Sequence, residues 1–152
     1  MVMDRQDALE RMFNERARVA KTFGMSLSYD DRGRALIRLP YNPALDHAGD
    51  GVHGGVIMTL LDSAGWFTCA LAVDSGLVLT SELSSHVLRP ATRTELLARG
   101  EIIKRGRRQN VAEMRCWDAD GNLVAHAVGT FANIDSEPGT WNMAGLEKAE
   151  QR

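Results

Sequence analysis

The sequence predicts an α+β fold in which a curved antiparallel β-sheet wraps around one long central helix. Three observations lead there. Between Val56 and Val73 the only polar side chains are Thr59, Asp62, Ser63 and Thr68, so a helix over this stretch is apolar nearly all round and has to be enveloped by other structure. Downstream, residues 77–88, 95–104, 110–117 and 122–133 read as four strands. The breaks between them, Arg89-Pro90-Ala91, Arg105-Gly106-Arg107 and Asp118-Ala119-Asp120-Gly121, are short and rich in turn formers, which favours antiparallel pairing as a meander. A chain of 152 residues is long enough for one substantial core and too short for two comfortable ones.

Taken in order, residues 5–20 set Leu9, Met12, Phe13 and Val19 at roughly helical spacing among charges, giving an amphipathic surface helix. Residues 25–29 and 34–39 flank Asp30-Asp31-Arg32-Gly33, whose Asp and Gly suit a tight reversal, so a first hairpin follows. Pro40 and Pro43 end its pairing. Residues 41–52 then form a loop into the central helix, and their Asn, Asp and His content makes them a candidate site wall. The tail, 134–152, carries Ser136, Pro138 and Gly139 with few large apolar residues, and is expected to be partly ordered or mobile. The organisation is one domain: a helix at about 5–20, a core at about 25–133 and the tail.

Composition narrows the partners. At 44% hydrophobic and 25% charged residues with a net charge of −2, the chain has no global attraction for nucleic acid or an anionic membrane, so any anion site must be local. Cys69 and Cys116 make neither a disulfide framework nor a zinc-ligand spacing, and a reduced, cytoplasmic setting is expected. The first residues lack the apolar stretch of a signal peptide, so export is not expected. The apolar helix has no flanking Lys or Arg, and Asp62 near its middle would cost about 2.5–3.5 kcal/mol in a bilayer, which argues against a membrane span.

The richest segment is Gly51-Val52-His53-Gly54-Gly55-Val56-Ile57, where a diglycine opens the apolar helix, followed by Leu60-Leu61-Asp62-Ser63-Ala64. An ionised Asp in such a helix is expensive unless it is paired or employed. Thr80-Ser81-Glu82 follows on a strand, then Leu88-Arg89-Pro90-Ala91, then Asp120-Gly121-Asn122-Leu123-Val124-Ala125 and Gly129-Thr130-Phe131. This ordered series, running from about Leu36 to Phe131, resembles the hotdog-fold thioesterases, in particular the PaaI-type branch that hydrolyses acyl-CoA thioesters. The resemblance implies a hotdog fold, an acyl-CoA substrate, no metal or other cofactor, and a homodimer, commonly assembled as a dimer of dimers.

The residues allow that chemistry on their own terms. Thioester hydrolysis needs an oxyanion binder and a group that activates or replaces water. Amides of Gly54 and Gly55 at the helix opening, aided by the helix dipole, suit the first role. Asp62 suits the second, as general base to water or as direct nucleophile. Against these stand plainer readings: Asp62 as a structural carboxylate, the glycines as packing residues, His53 as a cap or brace of the loop. Gly54 and Asp62 are eight residues apart, about 12 Å along a helix axis, so one carbonyl cannot easily touch both. A two-fold dimer with antiparallel helices resolves this, each site drawing glycine amides from one subunit and Asp62 from the other.

By resemblance, Thr80 occupies the place of a small hydroxyl residue that orients the attacking water. His53, at the helix start, is expected to position the loop or the thioester in preference to transferring a proton. Family members commonly carry Asn six residues before the motif histidine, where it helps to place the thioester; here that position is His47, with Asp46 and Asp50 nearby, and His47 is a candidate substrate-binding donor in its stead unless the loop has shifted register. Arg89 and the cluster Lys104, Arg105, Arg107 and Arg108 are candidates for CoA phosphates, although such a cluster is usually a solvated surface. Met58, Trp66 and Phe67 are candidate acyl-pocket side chains. His86 and His126 read as packing or surface residues, without metal-like partners. P-loop, Rossmann and nucleophile-elbow patterns are absent from the sequence. Two alternatives stay open: a non-catalytic acyl-CoA-binding module, and a thioesterase acting on acyl carrier protein.

Overall fold

Six strands, β1 (Ser26–Tyr29), β2 (Ala35–Leu39), β3 (Leu77–Val87), β4 (Leu96–Lys104), β5 (Gln109–Asp118) and β6 (Leu123–Ile134), form one antiparallel sheet in the order β1-β2-β4-β5-β6-β3. This is seen in a computed structural model that describes residues 4–134. Three α-helices accompany the sheet among the described residues: α1 (Arg5–Arg11), α2 (Arg18–Phe23) and α3 (Gly54–Ala72). Helix α3 packs against β2 to β6, the wrapped helix that the sequence predicted and the hotdog fold that the resemblance implied. By length and composition alone α3 could cross a membrane, at a mean hydropathy of 1.4, yet here its apolar side chains form the core. The tail beyond residue 134, expected to be partly ordered or mobile, lies outside the described residues.

The strand order corrects the expected meander. Strands β4, β5 and β6 do pair in sequence, but β3 pairs with β6, from Leu77↔Ile134 to Val87↔Ala125, and β4 takes β2 as its other neighbour. A tight β3–β4 hairpin does not form because the connection is held at the opening of α3, where Val52 N–H donates to the Ala91 carbonyl at 2.8 Å. Pro90, lacking an N–H, suits this crossing better than a ladder position. As a result β3 is an edge strand.

Small residues set the depth of α3. A Cβ on Gly100 would lie 2.4 Å from the Ala64 carbonyl oxygen and 2.5 Å from Thr68 Oγ1, so β4 meets the helix backbone at a distance only glycine permits. On the helix side, a Cβ on Gly65 would lie 2.5 Å from the Phe131 ring. Thr68 Oγ1 donates to the Ala64 carbonyl at 2.7 Å and accepts from Ala35 N–H at 2.9 Å, tying α3 to the start of β2. The first hairpin follows its sequence: Asp30 Oδ1 accepts from Arg32 N–H and Arg34 N–H, and Gly33 takes a left-handed φ of 72°.

The N-terminal segment is not the single helix expected over 5–20. After α1 the chain makes a π-helical turn, Met12–Arg16, and Ala17 adopts an extended ψ of 111° before α2 begins. The cause is tertiary: Asn14 exchanges two hydrogen bonds with the backbone of Leu27, Nδ2 to the carbonyl at 2.9 Å and Leu27 N–H to Oδ1 at 2.8 Å. The side chain so mimics a strand partner, while the widened turn keeps Leu9 and Phe13 buried. Val19 falls beyond the break and is 43% exposed, not on the buried face.

Candidate active site

The loop that opens α3 is held by its own histidines. His47 Nδ1 accepts from Gly49 N–H at 2.9 Å, and its ring lies over Gly49 and Gly51, where a Cβ would approach within 3.0 Å. This geometry braces a reversal closed by the Asp46–Val52 bridge. His53 is the N-cap, its Nδ1 accepting from Gly55 N–H at 2.9 Å, while its carbonyl receives Val56 and Ile57 N–H. The capping satisfies Gly55 and leaves Gly54 N–H without a partner among the described residues. A Cβ on Gly54 would meet nothing within 4 Å among the described residues, so packing against them does not account for the glycine.

Two turns further along α3, Thr80 Oγ1 donates to Asp62 Oδ1 at 2.7 Å. The pair is set by an irregularity in β3: the register with β6 shifts between Thr80 and Glu82, a bulge that turns Thr80 toward the helix, and Ser81 Oγ donates to the Thr130 carbonyl at 3.1 Å. Asp62 is half-buried and makes no ion pair among the described residues. Burial pushes its carboxyl above the usual range, and the Thr80 hydrogen bond pulls it partly back. Its remaining oxygen, Oδ2, has no hydrogen bond among the described residues.

Asp62 lies on a stripe of α3 that its own sheet leaves uncovered. Gly55, Met58, Thr59, Asp62 and Trp66 follow helical spacing along it, with Met58 40% exposed. Trp66 leans on Phe67 with ring centroids 4.6 Å apart. Phe67 itself is buried edge-on against Phe13 at 5.1 Å, and its carbonyl accepts from Tyr29 O–H. That corrects the reading of Phe67 as a pocket side chain: adjacent helix positions point about 100° apart, and only Trp66 and Met58 face the stripe.

The site residues named from sequence thus fall into two groups on one helix. Gly54, Gly55, His53 and His47 gather at its opening, and Asp62 with Thr80 lies eight residues on, about 12 Å along the axis. Arg89, just past β3, is exposed; Asp118 is held low chiefly by hydrogen bonds from the Asn122 side chain and N–H, with the charge of Arg89 adding least. His86 is exposed, and His126 Nε2 lies 3.3 Å from a Glu113 carboxylate oxygen. Among the described residues no group of three or more His, Cys, Asp and Glu side chains is arranged to hold a metal ion. The bulge at Ser81, which aims Thr80, carries no signal in the sequence.

A six-stranded antiparallel sheet wrapped around one long helix is the hotdog class of fold. The chain belongs to the thioesterase superfamily, whose family profile matches residues 49–125. It is 28% identical over 124 residues to "Putative esterase SSO2140" of Saccharolobus solfataricus, covering 82% of this chain and 89% of the relative. It is 37% identical over 124 residues to "Putative esterase VNG_1336C" of Halobacterium salinarum, covering 71% of this chain and 79% of the relative. Among solved structures, the E. coli PaaI protein from the phenylacetic acid degradation operon shares the fold with a TM-score of 0.78 at 19% identity, over 88% of this chain and 98% of that one. The BH2602 protein of Bacillus halodurans, solved with CoA, shares it with a TM-score of 0.75 at 24% identity, over 90% and 98%.

Proposed function

We propose that the protein hydrolyses acyl-CoA thioesters to a carboxylic acid and free CoA, in a two-fold dimer whose sites each join Asp62 and Thr80 of one subunit to the partner subunit's Gly54. The observation that carries this reading is the Asp62–Thr80 pair, 2.7 Å apart on the uncovered stripe of an apolar helix. A carboxylate lifted by burial and left without a counter-ion suits proton transfer better than passive binding. That the Bacillus halodurans relative was solved with CoA supports the choice of thiol.

The edge of the sheet supports the dimer. Strand β3 offers an unpaired edge, and Leu79, Val87 and Leu88 at or just beyond it are 58%, 44% and 55% exposed. Antiparallel pairing of two β3 edges about a two-fold axis would cover them and lay the uncovered stripes of two α3 helices together. Gly54 of each would then face the other's Asp62, and a dimer of dimers would be a further step.

In the reaction, the Thr80 hydroxyl spends its proton on Asp62 Oδ1, so its oxygen can accept from a water and hold it beside Oδ2. Asp62 takes a proton as that water attacks the thioester carbonyl. The oxyanion that forms meets the partner's Gly54 N–H at the positive end of the helix dipole. Collapse breaks the C–S bond, and protonated Asp62 returns its proton to the thiolate. Met58 and Trp66 lie where the acyl chain would contact the stripe.

The test is thiol release measured across aryl-CoA and fatty acyl-CoA esters, for wild type and Asp62→Asn. Release that depends on Asp62 is expected; no release from any ester by wild type would overturn the assignment.

A further inference from the structure

The turn between β4 and β5 is cationic and unusually well braced. Lys104, Arg105, Arg107 and Arg108 are exposed, and none makes an ion pair among the described residues. Beneath them Asn110, 1% exposed, accepts from Gly106 N–H at 3.3 Å and donates through Nδ2 to Asn133 Oδ1 at 2.8 Å. Asn133 returns to the turn three times: Nδ2 donates to the Gly106 carbonyl at 3.2 Å and the Arg107 carbonyl at 2.9 Å, and its N–H donates to the Arg108 carbonyl at 2.8 Å. A buried Asn110 linked to a half-buried Asn133, with four hydrogen bonds from the two residues to the turn's backbone, fixes where that turn's charges stand. Such a platform is preorganised for an anion.

Arginines elsewhere on the sheet are in several cases neutralised by carboxylates. Arg34 is paired with Asp30 at 2.7 Å, and Arg32 with Glu101 at 3.3 Å, so the groove of about 450 Å³ that they line beside Arg105 is locally balanced. Arg38 is paired with Glu95 at 2.6 Å.

The turn also stands on the line leading away from the reacting carbonyl. Arg105 donates to the Ala72 carbonyl at the end of α3, ten residues and about 15 Å beyond Asp62. On the sheet side, Asn133 pairs with Val78, two residues before Thr80, so the turn begins about 7 Å from Thr80 along the strand. In an antiparallel dimer this end of α3 runs past the opening of the partner's α3, on the outer side of the shared site. A thiol substrate entering there would trail its pantetheine arm toward the turn.

We propose that Arg107 and Arg108, on the Asn110–Asn133 brace, bind the phosphates of CoA and so select CoA as the thiol carrier. The proposal rests on the acyl-thioester reading above and refines it. Three phosphates on a nucleotide match a dense, fixed set of guanidinium donors, whereas bare pantetheine offers them nothing.

The experiment compares wild type with an Arg107→Gln/Arg108→Gln double variant, in which the backbone carbonyls that Asn133 holds are retained. KM is measured for one acyl group carried on CoA, on pantetheine and on acyl carrier protein, and binding of CoA alone is measured by calorimetry. The ratio of KM values, CoA over pantetheine, should rise about tenfold in the double variant, and CoA should bind correspondingly more weakly. An unchanged ratio with unchanged CoA binding would overturn the proposal, as would a rise confined to the carrier-protein substrate, which would make the turn a protein-docking surface. Should wild type hydrolyse none of the three, the thioesterase reading fails first, and calorimetry alone decides whether the turn holds CoA.

Discussion

Replacing Thr80 by valine removes one hydroxyl while keeping a branched side chain of similar shape, and it isolates the bond that tempers Asp62. In the protein, burial raises the Asp62 carboxyl and the 2.7 Å bond from Thr80 opposes that rise. Without the hydroxyl, burial acts unopposed, the ionised form is less favoured, and protonation persists to higher pH. A hydrogen bond to a charged group contributes about 1.5–3 kcal/mol, and the half-open site argues for the lower end. Since about 1.4 kcal/mol is a factor of ten, kcat/KM at a fixed pH on the acidic side of the profile should fall about tenfold or somewhat more. The assay is kcat/KM against pH for both proteins. The acidic limb of Thr80→Val should lie at higher pH than that of wild type, and any further loss on the plateau reads the water-holding role separately. An acidic limb that stays in place would refute the argument that this bond sets the ionisation of the working carboxylate.

Asp62→Asn should lower kcat by at least about 100-fold, the range for lost acid–base assistance, in the thiol-release assay. The same variant should melt higher than wild type at neutral pH: a carboxyl raised by folding binds its proton more tightly in the native state, so ionisation costs stability as pH rises past its unfolded value. The gain should vanish below that value, and melting curves in which Asn never stabilises would contradict it. Gly100→Ala, whose Cβ would lie 2.4 Å from the Ala64 carbonyl, should cost about 1–3 kcal/mol in denaturant unfolding; wild-type stability would deny the close approach of β4 to α3. Leu79→Lys, at a position 58% exposed on the β3 edge, should shift the sedimenting species toward monomer, whereas an intact dimer would move the interface elsewhere.

What could be read from the sequence follows from how local each determinant is. Helix α3 was legible because its composition leaves no polar face, and the first hairpin because Asp30 and Gly33 close it within a few residues. Asp62 and Thr80 could be named individually, but their contact depends on a bulge at Ser81 that no residue pattern announces. The break at Ala17 was illegible because Asn14 makes its bonds with Leu27, thirteen residues on, overriding helix periodicity. Strand order likewise hides in the tertiary bond from Val52 to Ala91, which turns an apparent hairpin connection into a crossing. Trp66 and Phe67 are equally apolar, so composition alone could not say which one Phe13 would claim. The brace of Asn110 and Asn133 joins residues 23 apart, and at strand ends each reads as an ordinary turn former.

The shared site is the central claim, and it is tested most directly by mixing two inactive chains. Gly54 and Asp62 stand eight residues apart on one helix, too far for one carbonyl, so each site should need both subunits. Gly54→Val should fold normally, since its Cβ enters open space within the chain, yet lose turnover because the added bulk obstructs the thioester. Asp62→Asn should be inactive for want of the carboxylate. In a mixed dimer, one site receives an intact Gly54 from the Asp62→Asn chain and an intact Asp62 from the Gly54→Val chain, while the other carries both defects. Subunit exchange should therefore restore up to about half of the wild-type activity per mixed dimer. Verified heterodimers as inactive as their parents would contradict a site built across the two-fold axis.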